Sequence, residues 1–157
     1  LENVKLTESV KLCIFGTRSF YDHPEASKLL DEQIAEIKPD MILTAGDADG
    51  VCRLAIEKAR KFSIPCELHF LNRTKYARGM FYHRSLDILK KSNFVLFIHN
   101  GKSQGTKNEI EMTQKLGIEY RYFQIEDDPI ADLKEFEPED FSPLTVEDFS
   151  PLTVEDF

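Results

Sequence analysis

Two periodicities alternate along the chain. Val10 to Phe15, Met41 to Ala45 and Asn93 to Ile98 are short and almost wholly apolar, whereas Cys66-Glu67-Leu68-His69-Phe70 and Glu119-Tyr120-Arg121-Tyr122 alternate apolar with polar residues. Between these runs, apolar residues recur at helical spacing. Pro24 opens a stretch with the stripe Ala26, Leu29, Leu30, Ile34 and Ile37, and after Gly50 the residues Val51, Leu54, Ala55, Ala59 and Phe62 fall at offsets 0, 3, 4, 8 and 11. Two further helices are predicted, from about Lys75 to Lys91 and from roughly Lys107 to Leu116, and a fifth strand over Glu119 to Ile125. Regular alternation of strand and helix predicts a parallel sheet with helices on both faces.

The strands also predict their own order. A strand covered on both faces is apolar throughout, and one at an edge alternates, so the third and fifth strands belong at the edges. The expected architecture is an α/β, Rossmann-like, doubly wound five-stranded parallel sheet of order 3-2-1-4-5, spanning about residues 8–126. In such a sheet the crevice between strands one and four is where ligands bind, outside the strand C-termini.

Three turns meet at that end. Strand one runs into Gly16-Thr17-Arg18, strand two into Gly46-Asp47-Ala48-Asp49-Gly50, and strand four into a loop containing Gly101, Ser103, Gln104, Gly105 and Thr106. Small residues let backbone amides approach an anion, and a helix start adds the positive end of its dipole. The carboxylates of Asp47 and Asp49 have two readings, as caps of the following helix or as acceptors of ribose hydroxyls. Thr106 and Glu109 have the spacing of a capping box, a structural role beside a catalytic one. Arg84, on the preceding helix, is expected to reach a phosphate with bidentate geometry.

Charge sharpens the picture. The net charge is −8, but residues 126–157 hold twelve carboxylates against Lys134 alone and so carry −11, leaving the remainder at +3. A mildly basic body suits a small anionic ligand and lacks the basic stripe of a duplex-binding protein. Cys13, Cys52 and Cys66 sit in apolar stretches without paired spacing and read as reduced core thiols of a cytoplasmic protein. The four histidines show no metal-ligand spacing, so no metal and no cofactor is expected. No apolar stretch approaches the roughly 20 residues of a membrane span, and the first residues lack a signal-peptide pattern. The chain begins at Leu1, as a fragment or processed product would.

The block Met80-Phe81-Tyr82-His83-Arg84-Ser85 and the run Gly105-Thr106-Lys107-Asn108-Glu109 resemble the signature of the SLOG superfamily, which includes the LONELY GUY phosphoribohydrolases and the YspA/YpsA-like proteins. Gly16-Thr17-Arg18, the Ala45 to Gly50 turn leading to Arg53-Leu54-Ala55, and Ser103-Gln104-Gly105-Thr106 are more similar to the YspA-like branch. The resemblance spans about residues 10–125. It implies a Rossmann-like domain that binds a nucleotide or nucleotide-derived molecule at Gly16, Thr17, Arg18, Gly46, Asp47, Ala48, Asp49, Gly50, Arg84, Gly101, Ser103, Gln104, Gly105 and Thr106. In the phosphoribohydrolases, residues matching Arg84 and Glu109 form the catalytic pair that cleaves the base from ribose 5′-phosphate. Their Pro-Gly-Gly-x-Gly-Thr loop is represented here by His99 to Thr106, without the proline, with fewer glycines and longer by about two residues, and their Arg-Lys pair by Arg84-Ser85. Ligand binding as a sensor or processing domain is therefore expected ahead of hydrolysis, and related proteins often form homodimers.

From Phe141 the octapeptide FSPLTVED occurs twice and Phe157 begins a third copy. Such an acidic, proline-punctuated repeat cannot bury a core of its own, so residues 127–157 are expected to be a disordered tail. Its readings are a solubilising extension, a repeated motif binding a protein partner in an adaptor role, or a cover over the basic body.

Overall fold

Strands β1 (Lys11–Gly16), β2 (Met41–Ala45) and β4 (Phe94–His99) are buried over most of their length, while β3 (Cys66–His69) and β5 (Tyr120–Gln124) are only partly covered. In this computed structural model, which describes residues 9–127 except Ala77, they form one parallel sheet of order β3-β2-β1-β4-β5. The expected order and both edges are found. The tail from Asp128 onward lies outside the described residues.

Four helices connect the strands: α1 (Pro24–Ile37), α2 (Val51–Lys61), α3 (Met80–Lys90) and α4 (Gln104–Leu116), with a 3-10 turn at Arg18–Phe20. Because side chains alternate along a strand, each central strand feeds two cores. Leu12, Ile14, Ile42 and Leu96 pack on one face with Leu30 and Ile34 of α1 and Leu54 of α2. Cys13, Phe15, Leu43, Val95 and Phe97 pack on the other with Ile88 and Leu89 of α3 and Met112 of α4. The first two helices thus cover one face and the last two the other, and the change of side falls between β1 and β4.

Two predicted helix starts are displaced, each for a local reason. α3 begins at Met80 and not near Lys75, because Gly79 takes a left-handed conformation with φ of 74° and turns the chain into the helix there. α4 begins at Gln104, three residues before Lys107, with Ser103 as its N-cap. Thr106 and Glu109 therefore lie inside the helix, and the capping-box reading is corrected. His23 does serve the start of α1: its Nδ1 accepts from the Ala26 amide at 3.3 Å, next to Pro24 at the first helical position.

Glycine is required where the strand ends converge. A Cβ on Gly16 would lie 2.3 Å from the Ile98 carbonyl oxygen, and one on Gly50 would lie 2.2 Å from the Thr17 carbonyl oxygen. Gly50 also has φ of 73°. Gly50→Ala is expected to destabilise the domain by about 2 kcal/mol or more in a urea titration. Gly117→Ala is the control, since Gly117 has φ of 71° but a Cβ there meets nothing within 4 Å. It should cost less, about 1 kcal/mol, and equal losses at both positions would show that the close approach to Thr17 is unimportant.

Candidate functional site

Thr17 ties three loops together. Its amide donates to the Ile98 carbonyl at 3.1 Å, its hydroxyl accepts from the Asn100 amide at 2.9 Å, and its carbonyl accepts from the Val51 amide at 3.2 Å. The turn after β1 is thereby bonded both to the end of β4 and to the start of α2. The loop after β4 is braced further. Asn100 Oδ1 accepts from the amides of Lys102 and Ser103, and the buried His99 ring bridges the Ser103 carbonyl and the Tyr122 hydroxyl. Burial holds His99 below the usual imidazole range, so the neutral ring donates from Nε2 to Ser103 and accepts from Tyr122 at Nδ1.

A small cavity of about 20 Å³ opens between these loops. Gly105 and Thr106 in the first turn of α4, and Cys52 in the first turn of α2, contribute to its wall. Neither helix start receives a hydrogen bond from a side-chain cap, although the first amide of α2, that of Val51, already donates to the Thr17 carbonyl, and residues from both first turns line the one space. Arg18 and Arg84 line the same cavity, and their guanidinium carbons lie 5.8 and 5.4 Å from the centre of the Phe81 ring. The ring face offsets part of the repulsion between the two cations.

Arg84 is 5% exposed and half committed. Its Nη1 pairs with Asp47 Oδ1 at 2.6 Å, while its Nε is buried without a hydrogen-bond acceptor. A buried guanidinium with one edge unmatched is costly unless an acceptor arrives. Asp47 is occupied on both oxygens, since Oδ2 accepts from the Leu71 amide at 2.9 Å. It is an orienting residue for Arg84 and for the loop before α3. Asp49 lies at the exposed rim with its carboxylate 4.0 Å from Arg53, and neither aspartate caps α2 through its side chain.

Glu109 reaches the cavity from the second turn of α4. It is 6% exposed and accepts a hydrogen bond from the Ser85 hydroxyl at 3.0 Å. Burial pushes its carboxyl up to about 7, against the opposing pull of Arg84, Ser85 and Arg18. The thiols of Cys13 and Cys52 are raised by burial and by the nearby Glu109 charge, and stay protonated near neutrality.

Of the residues singled out in the sequence, Gly16, Arg18, Ala48 and Asp49 line this cavity, as do Arg84, Ser103, Gly105, Thr106 and Glu109. Thr17 and Gly50 shape the loops behind it. Gly46 packs under the Phe70 ring, Gly101 lies beside the Gln124 side chain, and Gln104 donates to Asn108 Oδ1 at 3.0 Å, so these three do not form its wall. Three contributors were missed: Cys52, Phe81 in a role beside the two arginines, and Ser85 as donor to Glu109. Cys52 carried a usable signal, being two residues past Gly50 and hence in a first helical turn. The other two depend on which face of α3 meets α4.

A larger recess of about 370 Å³ lies at the opposite end of the sheet, lined in part by Val10, Ile37, Asn93 and Arg121. Arg121 is already engaged there, with Gln33 at 2.6 Å and Glu36 at 3.3 Å. The starts of α2 and α4 do not border that recess, which makes the smaller cavity the better candidate for an anion. Among the described residues, no group of three or more His, Cys, Asp or Glu is arranged to hold a metal ion, and no helix is long and apolar enough to cross a membrane.

No protein-family model matches the chain, and no curated protein matches it in sequence. Among solved structures it is similar to the Moco Carrier Protein from Chlamydomonas reinhardtii, with 16% identity, a TM-score of 0.55, and coverage of 96% of this chain and 100% of that one. The likeness is one of fold, a Rossmann-like parallel sheet.

Glu109 sets a testable dependence on pH. A carboxyl ordinarily near 4.5 that titrates at about 7 in the folded protein keeps a proton that the unfolded chain has lost. The stability it contributes is therefore full at low pH and falls as pH rises through this window. Glu109→Gln abolishes that loss. The stability of the variant relative to the native chain should rise by up to about 3 kcal/mol between about pH 5 and pH 8, read from urea titrations.

Proposed function

We propose that this domain binds the phosphate of a nucleotide or nucleotide-derived molecule at the C-terminal ends of β1 and β4, and carries or senses that ligand intact. The observation that supports this reading best is the convergence of Arg18, Arg84 and two uncapped helix starts on one cavity, with Arg84 Nε awaiting an acceptor. A space of about 20 Å³ suits one small anionic group and falls far short of the 300 Å³ or more of a typical ligand pocket. The phosphate enters, and the sugar and base lie across the rim, where Asp49 accepts ribose hydroxyls.

The SLOG resemblance carries the same residues to the same role. The Chlamydomonas protein of like fold is a Moco carrier, and a carrier holds its ligand without consuming it. One observation favours a second reading, N-glycosidic hydrolysis of a nucleoside 5′-monophosphate: Glu109 lies in the wall of the cavity that Arg84 lines. There its carboxylate would stabilise an oxocarbenium-like sugar while the arginine holds phosphate.

Both readings are tested together with a panel of nucleoside mono- and diphosphates, followed by thermal shift and by chromatography for freed base. The expected outcome is saturable stabilisation with no base released, and release of base would select the hydrolase. Arg84→Gln should abolish the stabilisation, and Arg18→Gln should weaken binding about tenfold, the value of one charge-assisted hydrogen bond. Undiminished binding in the Arg84 variant would remove the phosphate from this cavity.

A further inference from the structure

The cavity sets a carboxyl where an anion is to bind. Glu109 is buried in its wall, with a single hydrogen bond from Ser85 and no direct ion pair of its own among the described residues. Its surroundings come from every element packed against it: Arg84 and Ser85 on α3, Arg18 in the turn after β1, Cys13 on β1 and Cys52 on α2. Besides the Ser85 hydrogen bond, only the two arginines favour a negative charge on Glu109, and they are the same two groups that an entering oxyanion would use. An anion bonded to both arginines would thus lie against a second negative group out of contact with bulk water. Like charges so placed do not both persist, and a proton held between them turns repulsion into a hydrogen bond.

We propose that the cavity takes up an oxyanion together with one proton, shared between the Glu109 carboxyl and the ligand, so that Glu109 sets which anions bind. This rests on the anion-binding reading above and adds a selectivity to it. An oxyanion that carries its own proton, such as inorganic phosphate, brings what the site needs. One that carries none, such as sulfate, must draw the proton from solvent. The raised affinity of the empty site for a proton near neutrality works in the same direction. The shared proton has macroscopic behaviour that belongs to the pair, so it is measured as uptake on binding.

The test is calorimetry of the full chain with inorganic phosphate and with sulfate, at about pH 6 and about pH 8.5, in buffers of differing ionisation enthalpy. Sulfate affinity is expected to fall about tenfold for each pH unit above neutrality, with heats that vary with the buffer because one proton is taken up. Phosphate affinity should change far less over the same range. In Glu109→Gln, sulfate should bind with the same affinity at both pH values. If that variant does not fold, the dependence on buffer in the native chain decides the matter alone. Sulfate binding by the native chain that is independent of pH and buffer would overturn this inference and leave the anion site standing. Failure of both anions to bind under all conditions would overturn the site as well.

Discussion

The site depends on Thr17 more than on any residue that would touch a ligand. It follows β1 at the centre of the sheet, where the chain can reach loops on either side, and it spends its amide and hydroxyl on the end of β4 and its carbonyl on the start of α2. Each bond replaces one that loop backbone would otherwise make with water. The result is that turns from three parts of the sequence keep one relative position before any ligand arrives. Gly16 and Gly50 belong to the same joint, since a side chain at either would push apart the strands and loops that Thr17 draws together.

On that frame the charges are held in unfinished balance. Asp47 neutralises one edge of Arg84 and fixes its direction, Phe81 gives both guanidiniums a common face, and Ser85 supports Glu109. None of these satisfies Arg84 Nε. Full compensation by a second carboxylate would have made a sturdier core and closed the site. The arrangement instead leaves one edge of Arg84 open in a small space, where each charge acts more strongly than at the surface.

Much of this was legible in the residues, and the limits are physical. Period-two and period-3.6 patterns separated strands from helices, and the contrast between the uniform β4 and the alternating β5 revealed which strand lies inside the sheet and which at its edge. The convergence of three turns followed from strand order alone. What pattern could not reveal was decided by contacts distant in sequence. α4 starts at Gln104 because Asn100, 83 residues away from Thr17, is fixed by it and turns the intervening loop. Asp47 appeared free to meet a ribose until the fold brought Arg84, 37 residues on, to its carboxylate. Ser85 was noted only as a departure from a family pattern, whereas across the α3–α4 contact it is the hydrogen-bond donor to Glu109.

Size and chemistry point to different ends of the sheet, and chemistry is the better guide. The large recess beside Arg121 offers volume, yet its cation is already matched to Glu36 and Gln33, and a ligand there would have to compete with those bonds. The small cavity offers little volume but two cations, two helix starts and a buried group without an acceptor. Binding free energy per unit of area is highest where polar groups are preorganised and unmatched, because the protein has already borne the cost of ordering them. If the cavity takes the anionic head, as proposed, recognition of the rest of the ligand is left to its rim. There Asp49 lies exposed. On the reading proposed, charge selection belongs to the centre of the fold and identity selection to its loops, the part of a Rossmann-like domain that changes most readily without disturbing the sheet.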